Sequence, residues 1–86
     1  MNMEDILNER EKTHGNYPIQ AETAQSIKQC MKDTPNWNHI PAYYKESLEM
    51  VATKIARILH GDPYEPEHSR DGSGYFGLVT RELEVK

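Results

Sequence analysis

The chain has 86 residues, enough for one domain and too few for two. A domain of this size buries only a modest core, so oligomerisation is a natural way to cover more surface. Charged residues make up 28% and hydrophobic residues 36%, with a formal net charge of −4, which suits a soluble globular protein and lacks the basic footprint of a nucleic-acid binder.

A chain of this charge that handles anions must concentrate its few basic residues locally or recruit a metal ion. The one cysteine, Cys30, excludes an intrachain disulfide and points to a reducing, cytoplasmic setting. The opening MNMEDILNEREK has no apolar run and does not read as a secretory leader, and no stretch approaches a membrane span.

Glycines and prolines divide the sequence into four helical segments. The first covers roughly residues 3–14, with Asn2 as its cap, Asp5 completing a loose capping box, and Gly15 placed to close it. Met3, Ile6, Leu7 and Arg10 share one face. The second runs over roughly 19–33, between Pro18 and Pro35, with Ala24, Ile27 and Met31 at helical spacing beside Ala21 and Cys30. The linker TPNWNHIP (34–41) carries Trp37 and Ile40, expected to fold back onto the core. The third segment, about 41–60, is the strongest pattern: Pro41 suits its first turn, and Gly61 and Pro63 end it. Tyr44, Leu48, Val51, Ile55 and Ile58 form a nearly unbroken apolar stripe, the expected core face. The fourth covers roughly 66–84, with Phe76, Val79 and Leu83 in helical phase. Gly72, Gly74 and Gly77 each cost on the order of 1 kcal/mol relative to alanine, so this helix is expected to start late or kink, or to let another backbone approach closely. No segment has hairpin chemistry. The expected fold is therefore all-α: one small domain of two shorter and two longer helices, packed as a bundle or as part of an oligomeric bundle.

Four sets of residues can carry chemistry. On the third helix, Glu49, Thr53, Arg57 and His60 fall within about 60° of Glu46, nearly opposite the apolar stripe. This is either a solvated face or one covered by another helix or subunit, where two carboxylates at i, i+3 can share a hard cation such as Mg²⁺. A second acidic pair, Glu67 and Asp71, either supplies further ligands, or places Glu67 at a helix start and Asp71 beside a base. Lys54, Arg57, Arg70 and Arg81 are the candidates for phosphate contact, although a lysine flanking an apolar stripe is often only packing. In THGNYP (13–18), Gly15 has a structural role, and His14 and Tyr17 either reach a ligand or form a structural pair. The four histidines lack zinc-site spacing, and GSGYFG lacks the lysine and serine of a phosphate loop.

Together, ILNEREKTHGNY, NWNHIPAYYKESLEMVATKIARILHGDP and RDGSGYFGLV resemble a group of small phage- and prophage-encoded proteins. That group has an ERxxxHGxY-like start, an ALEMIAxKIARIxxGDP-like helix and a DxxGY-like last helix. It is in turn similar to the all-α, MazG-like nucleoside triphosphate pyrophosphohydrolases. The resemblance implies Mg²⁺-dependent hydrolysis of a nucleoside triphosphate in the host-cell cytoplasm, in a homo-oligomer, a dimer or larger. It implies Glu46, Glu49, Glu67 and Asp71 as metal ligands, with Glu49 the catalytic candidate and Lys54 and Arg57 on the phosphates. The second acidic pair departs from that pattern, ExxxD replacing ExxD and turning one carboxylate by about 100°. Two other readings stay open. One is a binding module that holds a nucleotide without cleaving it, through Arg57, Arg70 and Tyr75 with His14 and Tyr17. The other is a small helical protein that docks on a host protein.

Overall fold

A computed structural model of the chain describes residues 2–85. Four helices form, α1 (Met3–His14), α2 (Tyr17–Lys32), α3 (Ala42–His60) and α4 (Pro66–Glu84), with a short 3-10 turn at Trp37–His39. The all-α class and the two-short, two-long division are as the sequence implies, and no strand occurs among the described residues.

Local chemistry explains the boundaries. The Asn2 side chain accepts a hydrogen bond from the Asp5 N–H at 2.9 Å, and the Gly15 N–H donates to the Glu11 carbonyl to close α1. Asn16 caps α2, accepting from the Ile19 N–H at 3.4 Å. The helix therefore begins at Tyr17 and not near 19, because a capped start accommodates Pro18 within its first turn. The Gly61 N–H ends α3 on the Arg57 carbonyl, and the Glu65 carboxylate accepts from the Glu67 N–H to start α4.

The expected kink or late start of α4 does not occur: the helix is continuous from Pro66 to Glu84. The helix docks on α3 and buries His68 and Val79, and tertiary packing outweighs the weak propensity of its glycines. Nor, among the described residues, does another backbone approach those glycines: a Cβ added at Gly72, Gly74 or Gly77 meets nothing within 4 Å.

Helix α3 is central, flanked by α2 on one side and α4 on the other, with α1 folded against α2 and α3. Its buried residues are Ser47, Ala52 and Ala56, which corrects the expected core face. The stripe of Tyr44, Leu48, Val51, Ile55 and Ile58 is half-buried or exposed. A helix with neighbours on both flanks buries its two edges, and small side chains at those edges let the neighbours come close. The stripe is left between them, with Ile55 40% and Leu59 65% exposed, and Phe76 and Leu83 of α4 about half exposed. Trp37 is buried as expected, with Lys45 over its ring. The buried apolar residues are Ala24, Trp37, Ala52, Ala56 and Val79, and the largest fully buried side chain is the imidazole of His68.

Candidate anion-binding cleft

Two turn motifs far apart in sequence, THGNY and HGDP, meet in space. Gly15, at φ +88° and ψ −177°, lies against the backbone of His60, and Gly61 lies against that of Thr13. The conformation at Gly15 is one that residues with a side chain essentially never adopt, and neither position has room for a Cβ. The Thr13 carbonyl accepts from the Asp62 N–H at 3.0 Å, and His68 Nε2 lies 3.1 Å from the same oxygen. A carbonyl only accepts, so this contact puts the proton on His68 Nε2. His60 Nε2 lies 2.6 Å from Thr23 Oγ1, tying the end of α3 to α2. The joint is thus held by Thr13, the two glycines and His68, and not by a structural pair of His14 and Tyr17; Tyr17 is 75% exposed.

This joint shapes a cleft of about 470 Å³ walled by Arg10, Glu11 and His14 from α1, Tyr17 and Gln20 from α2, and Arg57 from α3. Arg57 also lines a smaller groove with Lys28 and Thr53. The Nε of Arg57 is buried and has no hydrogen-bond partner among the described residues. Among the described residues neither Arg10 nor Arg57 enters an ion pair; the two pairs formed are Lys54–Asp71 and Arg81–Glu82. The imidazole of His14 packs 5.5 Å from that of His68, measured between ring centroids. Burial, then the positive charges of Arg57, His68, Lys54 and Arg10, hold His14 below the usual histidine range. The N-terminus of α2 opens beside these groups, adding a partial positive charge.

Other sequence-predicted residues fall elsewhere. Lys54 Nζ is 3.1 Å from Asp71 Oδ2, with the lysine side chain 12% and the aspartate 49% exposed; Asp71 pairs with a base. Arg70 and Tyr75 line a separate open groove on α4. Glu46 is exposed and Glu49 half-buried on α3, and Glu67 is exposed in the first turn of α4. No three histidine, cysteine, aspartate or glutamate side chains come together as a metal-binding group among the described residues. The structure therefore unites His14, Tyr17 and Arg57 and separates Arg70 and Tyr75 from them. It adds Arg10 to the cationic set and makes Glu11 a carboxylate on the cleft wall. The signal for Arg10 was its i, i+4 spacing from His14 on one helix face. The buried His68 was legible from its phase with Tyr75 and Val79 on α4. Set against known proteins, the chain matches no protein-family model, no curated protein and no solved structure.

Proposed function

We propose that the chain is a nucleotide-binding helical protein whose phosphate site is the cleft of Arg10, His14 and Arg57. The observation that carries this reading is the buried Nε of Arg57. Leaving a buried donor unsatisfied costs about 1–3 kcal/mol, more when it is charged, and a phosphate oxygen is the natural acceptor for a guanidinium. In a chain of net charge −4, two arginines without ion pairs, a histidine and a helix N-terminus face one cleft. The exposed ring of Tyr17 beside them offers a surface for a base.

Mg²⁺-dependent, MazG-like hydrolysis is a second reading. It is favoured by Glu49, half-buried two turns before Arg57 on the same side of α3. Within one chain Asp71 is met by Lys54, and no three or more such ligating side chains gather among the described residues. This reading therefore invokes a second copy to complete a site from Glu46, Glu49, Glu67 and Asp71. The exposed apolar side chains Ile55 and Leu59 on α3 and Phe76 and Leu83 on α4 support such a homodimer, since a core made mostly of alanines is small for an independent domain. Docking on a host protein is the alternative use of those side chains.

Calorimetric titration with ribo- and deoxyribonucleoside mono- and triphosphates tests the first reading. Binding is expected, with Arg57→Gln weakening it about tenfold or more; absence of binding at millimolar nucleotide refutes it. Pyrophosphate release with Mg²⁺, abolished in Glu49→Gln, supports hydrolysis, and binding without turnover leaves a sequestering protein.

A further inference from the structure

The groups around His14 come from all four helices. Arg10 and Glu11 lie on α1, Tyr17 and Gln20 on α2, Arg57 on α3 and His68 on α4. Lys54 also acts on His14 from α3, although its own charge is met by Asp71. Among the described residues Glu11 is the one carboxylate lining the cleft. The free cleft thus carries two guanidiniums against one carboxylate, an environment in which a further cation at His14 is disfavoured. A ligand with two negative charges reverses that balance. It neutralises the guanidiniums, supplies an acceptor for Arg57 Nε, and makes a charged imidazole beside it favourable.

We propose that the cleft binds a dianionic phosphomonoester together with one proton, the proton passing from bulk water to the His14 ring, whose N–H then donates to a terminal phosphate oxygen. No bond of the ligand breaks; the free protein, the dianion and one solvent proton become the complex. The inference rests on the phosphate reading above and deepens it. It assigns the ligand class as a terminal phosphate over a phosphodiester, because a diester carries a single charge and cannot offset both arginines.

The test is calorimetric titration with adenosine monophosphate and with cyclic adenosine monophosphate. It is run at about pH 7.5, where the monoester, with a second pKa of about 6, is already a dianion, in two buffers of different ionisation enthalpy. The monoester is expected to show a buffer-dependent enthalpy that corresponds to uptake approaching one proton per site. The diester is expected to bind about tenfold or more weakly, without uptake. His14→Gln is expected to keep monoester binding, weakened, and to abolish uptake. In the unaltered protein, the His14 ring protons followed by NMR titrate at higher pH with the monoester bound than without it. Monoester binding with equal enthalpy in both buffers, equal uptake in His14→Gln, or a diester bound as tightly as the monoester overturns the inference alone. No monoester binding at all overturns the phosphate reading and the inference with it.

Discussion

One substitution, glycine to alanine, has opposite expected effects at different places in this chain. At Gly15 two costs combine. The backbone sits at φ +88° and ψ −177°, a region whose occupation by alanine costs about 1–3 kcal/mol. The new Cβ also overlaps the His60 carbonyl and lies 2.9 Å from His60 Cβ, an overpacking worth about 1–3 kcal/mol more. The expected loss is about 2–6 kcal/mol. At roughly 0.05–0.15 kcal/mol per residue, the whole domain holds only about 4–13 kcal/mol. Gly15→Ala therefore removes much of the stability, and a loss of even 2 kcal/mol lowers the Tm by about 8–16 °C. Gly61→Ala meets the Thr13 carbonyl and lies 2.6 Å from the His14 carbonyl carbon, so it carries the overpacking cost alone. At Gly74 and Gly77 a Cβ meets nothing, and alanine raises helix stability by up to about 1 kcal/mol. Urea unfolding of the four variants, followed by circular dichroism, reads all four values on one scale. If Gly15→Ala and Gly77→Ala shift the midpoint in the same direction, the close approach of the two turns is not what holds α1 in place.

Three further outcomes follow from the same geometry. His14 is held below the usual histidine range in the folded state, so the unfolded chain takes up the proton first as pH falls through about 6.5. Stability contributed by neutral His14 is present above that pH and lost below it; urea midpoints between about pH 7.5 and 5.5 fall less steeply in His14→Gln, and identical slopes contradict the assignment. Asp71→Asn strands the mostly buried ammonium of Lys54 and is expected to cost about 1–2 kcal/mol, between the values for exposed and buried pairs. The double variant Lys54→Met/Asp71→Asn recovers part of that loss in the same denaturation assay; a single variant within about 0.3 kcal/mol of the parent sinks the idea. Sedimentation velocity is expected to show a homodimer, and Ile55→Asp with Leu59→Asp a folded monomer, because both side chains are exposed in the single chain; a monomeric parent protein refutes the second-copy reading.

The boundaries of α1, α3 and α4 were legible to within a residue or two, because caps, prolines and terminal glycines are local signals. The start of α2 lies two residues before the position that Pro18 suggests, because Asn16 supplies the cap. Burial on α3 departs from its apolar pattern for a different reason. Periodicity finds a single apolar stripe, whereas a helix sandwiched between two neighbours is buried at two edges, here through Ser47, Ala52 and Ala56. The glycines of α4 misled because propensity is local and docking on α3 is not. For the cleft, the sequence grouped His14, Tyr17 and Arg57 with Arg70 and Tyr75 in one nucleotide-binding reading, and the structure keeps the first three together and sets the other two on a separate groove. What joins the first three is the close approach of Gly15 to His60 and of Gly61 to Thr13, a long-range pairing of two turns that no spacing rule encodes. Asp71 illustrates the same limit, since its partner Lys54 lies on another helix.

Helix α1 has no buried residue along its whole length, yet it supplies Arg10 and His14 to the cleft. Its attachment is concentrated at one end, where Thr13, Gly15 and Gly61 interlock, so the opening free energy of its amides decreases toward Met3 and stays well below that of α3. The cationic wall is therefore cheap to detach. Any ligand bridging Arg10 on α1 to Arg57 on α3 spends part of its affinity suppressing that opening, and the spent part returns as slowed amide exchange along α1. In this chain, occupancy of the cleft and rigidity of the first helix are two readouts of one equilibrium.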